Sequence, residues 1–321
     1  MKTTLPTHPI DPQVLTEVDR ALGCEKPPAI EYLFVEPFSQ FHIFGFGIPI
    51  NPYGHAALRY TRPNGEQHVV NISGSPNTRL VSFLPPADYI FGDQTYSEQG
   101  GVRSRAMVGI RLEEYPPELV EDIHHFFDKL SRRSTRKTVK FNLVFAKLFN
   151  AVGWLLPRLH VERGNCAYWT SKGLVEGDLL FWPTIWPKSI WINVFEEQGA
   201  LDPSNVHVVS YRRKLNEEVE YGVSAKPLWS GVGPLQSLRN ISYRNLEEYA
   251  NVIVEYSLET DRFETTIQPN PVGPSWWRHH RGSLLSGGLA LAGVLLAVSR
   301  RGSRSAGMSA HLRSRLRKNS K

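Results

Sequence analysis

The 321 residues carry 37 Lys and Arg against 31 Asp and Glu, a formal charge of +6, with 41% hydrophobic and 11% aromatic residues. From Arg300 onward there are six Arg, two Lys and no carboxylate side chain, which leaves 29 basic and 31 acidic groups in residues 1–299. The charge therefore belongs to a tail, and nucleic acid, which calls for a basic face on a folded domain, is not an expected partner; the apolar content excludes a largely disordered chain, and two cysteines exclude a disulfide scaffold or a four-cysteine zinc site.

The start, Met1 to Pro6, has no apolar run before Asp11, so a secretory signal is not expected and the body is expected to mature in a reducing compartment. Asp11-Pro12 reads as a helix start, Leu15, Val18 and Leu22 recur at helical spacing, and Gly23 can close that helix. Short aromatic or β-branched runs follow over 30–35, 41–48, 55–61 and 67–73, with Arg62-Pro63-Asn64-Gly65-Glu66 as hairpin-turn chemistry between the last two. A further strand is expected over 106–112. Helices are expected over 117–133, 141–156 (with a strand start as the alternative), 165–176 (ended by Gly177), 187–197 (ended by Gly199) and 242–256, with a strand over 206–211 between the last two. The order implies an α+β fold, an antiparallel sheet with packed helices.

A division follows: an N-terminal helix in 1–29, the α+β body in 30–260 and a linker with an interfacial segment in 261–282. After it come an apolar segment, 283–298, and a basic tail, 299–321. The apolar segment, SLLSGGLALAGVLLAV, holds no charge; it follows Trp276-Trp277-Arg278-His279-His280-Arg281 and precedes Arg300-Arg301. Sixteen helical residues span about 24 Å, short of a roughly 30 Å hydrocarbon core. The aromatic and basic flanks nonetheless favour a transmembrane tail anchor. So short a span points to a mitochondrial outer, peroxisomal or plastid-envelope membrane, with the body facing the cytosol. Membrane lipid is thus an expected partner.

Two local sequences bear chemistry. His55 opens a strand after Asn51-Pro52-Tyr53-Gly54, and Cys166 opens a helix within Arg163-Gly164-Asn165-Cys166-Ala167-Tyr168-Trp169. A helix N-terminus favours the thiolate, and its N–H groups suit an oxyanion. An imidazole nearby can take and return the proton. With Asn64-Gly65 at the turn, His55 faces residues 72–74, so Asn71 lies nearer to it than His68 does. His68 and Asn71 point to opposite faces of a regular strand. Asn71 is the favoured third member and His68 the alternative. Cys24, behind Gly23 at a helix end, has no expected role, and His124 and His125 are read as a solvated helix face rather than a metal site; no metal or cofactor is expected.

The strand histidine before the helix-opening Asn165-Cys166 resembles the circularly permuted papain-like thiol enzymes, over roughly residues 30–180. These include the lecithin retinol acyltransferase-like acyltransferases and phospholipases, and permuted papain-fold deubiquitinating peptidases. The acyltransferase branch commonly has a second histidine about a dozen residues after the first, as His68 follows His55, and a C-terminal anchor. The run Ala167-Tyr168-Trp169 departs from the Glu-His-Phe-like run of that branch. The resemblance implies a thiol hydrolase or acyltransferase acting on an acyl or amide bond, with lipid as a natural substrate class. Its rivals are an (iso)peptidase of the same fold and a non-catalytic tail-anchored adaptor. The sequence sets no oligomeric state.

Overall fold

The computed structural model describes residues 10–35, 39–43, 46–49, 54–74, 80–92, 106–136, 138–142, 161–214, 243, 245–257, 260, 262–269 and 271. The chain divides into two units, Met1–Pro274 and Ser275–Lys321, and the second lies wholly outside the described residues. The expected interfacial segment from 275, the tail anchor and the basic tail therefore fall outside them. Among the described residues no helix is long and apolar enough to cross a membrane.

The first unit is α+β. In chain order it runs α1 (Gln13–Ala21), β1 (Ile30–Val35), β2 (Ser39–Ile43), β3 (Phe46–Pro49), β4 (His55–Thr61), β5 (Gln67–Ile72), β6 (Val81–Leu84), α2 (Pro86–Phe91) and β7 (Ala106–Leu112). It continues with α3 (Pro117–Thr135), β8 (Val139–Phe141), β9 (Glu162–Gly164), α4 (Cys166–Glu176), α5 (Pro187–Leu201), β10 (Val206–Lys214), a 3-10 turn (Leu246–Tyr249), β11 (Val252–Ser257) and β12 (Arg262–Ile267). Eight strands form one sheet in the order β12-β11-β10-β7-β1-β4-β5-β6. Every neighbouring pair is antiparallel except β10 and β11.

Alternation along the strands sends side chains to two different cores. Ile30, Tyr32, Phe34, Ala56, Leu58 and Tyr60 join a cluster with α3, α4 and α5. Leu33, Val35, Ala57, Val69 and Met107 join a second cluster with α1 and α2. The sheet is thus covered on both faces, which explains why all six residues of β1 are buried. The expected N-terminal helix is part of this unit: Val14, Leu15 and Val18 of α1 pack into the second core.

One row of that second face is charged. Arg59 pairs with Glu31, Glu31 with Arg111, and Arg111 with His207 on four adjacent strands. Arg59 Nη1 donates to Glu31 Oε2 at 3.0 Å, and Tyr211 donates its phenol proton to Glu31 Oε1 at 2.6 Å. Arg111 Nη2 reaches Asp19 of α1 at 2.6 Å. The alternation of sign lets buried charges compensate one another.

Several sequence expectations change. The single strand over 41–48 is two strands, β2 and β3, with Ile43 paired to Phe46, the separation that tight hairpin connections favour. Of the two readings left open at the start of 141–156 the strand is found, since Phe141 belongs to β8; residues 143–160 lie outside the described residues. Gly199 does not end α5, which runs to Leu201; the stop is Asp202-Pro203, because the residue before a proline avoids helical geometry. The helix expected over 242–256 is a 3-10 turn capped by Asn245 followed by β11. Leu246, Tyr249 and Ile253 have helical spacing, but Val252, Val254 and Tyr256 are buried at a period of two, and the β-branched pattern wins. The linker expected from residue 261 begins with strand β12, paired to β11.

Candidate thiol site

The strand β4 starts where the sequence demands a glycine. Gly54 has φ +74°, and a Cβ there would lie 2.5 Å from the Val35 carbonyl oxygen and 2.8 Å from the Phe34 ring. Only glycine takes that conformation at that approach without strain. It delivers His55 as the first residue of the strand.

On the neighbouring strand Asn71 pairs with Ala57, the register that the Asn64-Gly65 turn predicts. Asn71 is therefore the diagonal neighbour of His55, within side-chain reach. His55 Nε2–H donates to Asn71 Oδ1 at 2.7 Å. With Nε2 so engaged, Nδ1 is the ring nitrogen left to exchange a proton.

Cys166 is the first residue of α4. Asn165 caps that helix, its Oδ1 accepting from the Tyr168 N–H at 2.8 Å, while its Nδ2 donates to the Ile185 carbonyl at 2.9 Å. One side chain thus fixes both the helix start and the segment leading into α5. Before it, Glu162 accepts from Tyr168 Oη, Lys172 Nζ and Arg133 Nη2, which ties β9 to α4 and α3. Gly164 is packed so closely under Tyr168 and Trp169 that a Cβ would collide with both rings.

His55 reaches the Cys166 sulfur by a hydrogen bond, and the backbone N–H groups of Ala56 and Ala167 also point at it. Burial alone would push this thiol up. The His55 imidazole, by charge and hydrogen bond, and the two N–H groups overcome burial and hold the thiol below its ordinary range. Cys24 shows the opposite: burial, then the Glu113 carboxylate, push it up to about 11. Of the two cysteines, Cys166 is the one whose surroundings favour the thiolate.

His68, the alternative third member, is elsewhere. Its Nε2 lies 3.0 Å from Glu66 Oε1, and its ring stacks on His124 at 6.0 Å between centroids. His124 is not the solvated residue that its helix face suggests. It is half-buried against Tyr60, whose hydroxyl lies 2.9 Å from His124 Nδ1, while His125 is exposed.

Tyr32 escaped the sequence reading. It is buried on β1 close enough to Cys166 to feel its charge, and it donates to the Pro187 carbonyl at the start of α5 at 2.8 Å. Burial first, then Cys166, push its phenol up, so it stays neutral. A tyrosine in a run of six buried strand residues gives no local signal of this.

No family model, curated protein or solved structure matches the chain.

Proposed function

We propose that this chain is a membrane-anchored thiol hydrolase or acyltransferase of permuted papain-like fold, acting on an acyl or amide bond of lipids. The observation that carries the proposal is the imidazole of His55, which holds the Asn71 amide with one side of its ring and meets the Cys166 sulfur at a helix start. Cys166 is the nucleophile, His55 the acid and base, and Asn71 the positioning residue.

In the proposed reaction the Cys166 proton passes to His55 Nδ1, and the thiolate attacks the carbonyl carbon. The helix N-terminus favours the negative charge that develops on the carbonyl oxygen. The C–O or C–N bond breaks, and His55 gives its proton to the departing alcohol or amine. A thioester remains on Cys166. Water, or a second alcohol or amine, then loses a proton to His55 and attacks the thioester, which releases acid or transferred acyl product and restores the thiol.

Lipid is favoured as substrate by two features. One is the apolar segment 283–298, read as a tail anchor in a mitochondrial outer, peroxisomal or plastid-envelope membrane with the body in the cytosol. The other is the exposed pair Phe181 and Trp182, 45% and 51% accessible, in the connection between α4 and α5. That connection is fastened to the site by Asn165 and by Ser171, whose hydroxyl donates to the Thr184 carbonyl at 3.0 Å. Aromatic rings there are suited to an interface between water and acyl chains.

Incubating the full chain in detergent micelles with acyl-labelled phospholipid, and separately with a ubiquitin-fusion reporter, tests the substrate class. Release or transfer of the labelled acyl group, absent in Cys166→Ala, is expected. Cleavage of the fusion alone would move the reading to the peptidase branch, and turnover of neither would favour the adaptor.

A further inference from the structure

Cys24, Glu113 and His207 bring one donor atom each into a cluster, with the three atoms within 4.8 Å of one another. They come from three separate elements, each rigidly held. Cys24 follows α1 in a Schellman cap: its N–H donates to the Asp19 carbonyl at 2.9 Å, and the Gly23 N–H to the Arg20 carbonyl at 3.0 Å. Glu113 follows the last residue of β7, its N–H donating to the Asn205 carbonyl at 3.2 Å and its carbonyl accepting from the Ala29 N–H at 3.4 Å. His207 is the second residue of β10, paired with Arg111. All three residues are intermediate in burial rather than sealed in the core.

A second feature points the same way. Glu113 Oε1 is buried without a hydrogen-bond partner among the described residues. Arg111 Nε forms an ion pair with it at 3.2 Å, but the N–H is not aligned for a hydrogen bond. Charge also asks for a cation. Among the described residues of this row, Asp19, Glu31 and Glu113 outnumber Arg59 and Arg111 by one. A divalent ion bound with the Cys24 thiolate adds one net positive charge and brings that balance to zero. Thiolate, imidazole and carboxylate in a three-ligand set that leaves a fourth position for water suit Zn2+, whose bonds of about 2.0–2.3 Å require the donors to close in by roughly 1 Å.

We propose that Cys24, Glu113 and His207 bind a zinc ion that pins the end of α1 to β7 and β10. On binding, the Cys24 proton is released to solvent and the thiolate enters the site. The ion stands apart from the Cys166 chemistry, and its binding energy adds directly to folding stability.

Cobalt is the spectroscopic probe. Titrating Co2+ into the reduced, metal-free full chain in detergent should give one bound ion with a thiolate-to-metal charge-transfer band, bleached by an equivalent of Zn2+. Cys166→Ser should keep the band, Cys24→Ser should lose it, and His207→Gln and Glu113→Gln should weaken binding by at least about tenfold. The half-exposed His207 offers a variant with little packing to disturb, should Cys24→Ser fail to fold. Absence of a thiolate band in the wild-type chain, its persistence in Cys24→Ser, or its loss in Cys166→Ser would overturn the proposal.

Discussion

Replacing His55 with alanine should move the pH midpoint of Cys166 alkylation by iodoacetamide upward, and slow the reaction at pH 6.5 by at least about tenfold. Two opposing influences act on this thiol. Burial favours the neutral form, while the imidazole, the Ala56 and Ala167 N–H groups and the helix start favour the thiolate. Removing His55 takes away the largest influence that opposes burial, so the thiol rises and less of it is ionised at pH 6.5. The wild-type thiolate persists to lower pH, because the group loses its proton once pH exceeds its depressed value. A less basic thiolate is intrinsically a weaker nucleophile, which offsets part of the gain in thiolate fraction; the midpoint is therefore the firmer readout. Asn71→Ala should act in the same direction and less strongly, slowing alkylation about fivefold, as expected for the loss of one hydrogen bond of about 1 kcal/mol. His68→Ala should leave the profile unchanged. An unchanged profile in His55→Ala would remove the imidazole from the chemistry.

Glu31→Ala should destabilise the chain by about 3–5 kcal/mol in denaturant unfolding, the usual cost of breaking a buried ion pair from one side. Glu31 is fully buried, lies between Arg59 and Arg111 on the flanking strands, and accepts from Arg59 and the Tyr211 hydroxyl. Gly109 makes room for it, since a Cβ there would strike its carboxylate. Alanine leaves two buried guanidinium groups with less compensation and a phenol without its acceptor. Glu31→Gln, which keeps the hydrogen-bond geometry but not the charge, should cost less than alanine. A loss below about 1 kcal/mol in Glu31→Ala would mean that the charged row contributes little to the fold.

Legibility from sequence followed the range of the interaction. Asp11, Asn165, Gly23 and the Asn64-Gly65 turn act within a few residues, and they mark α1, α4 and the β4–β5 hairpin. The hairpin register then placed Asn71 beside His55 by counting alone. Helix period misled where a competing period was present, as at Val252, Val254 and Tyr256. The buried row of Arg59, Glu31 and Arg111 reads in sequence as three unrelated strand charges, because its logic lies across strands. Cys24, Glu113 and His207 are separated by 89 and 94 residues and meet only through the sheet. Tyr32 likewise depends on α5, 155 residues away, for its hydrogen bond.

The proposed chemistry makes Cys166 a nucleophile that carries an acyl group. Intact-mass analysis of the full chain, quenched in acid seconds after mixing with an activated short-chain acyl ester, tests this directly. One acyl adduct per chain is predicted, mapped to Cys166, released by neutral hydroxylamine and absent in Cys166→Ala and His55→Ala. An adduct that maps to Cys24, one that forms equally in His55→Ala, or no adduct at all would contradict it.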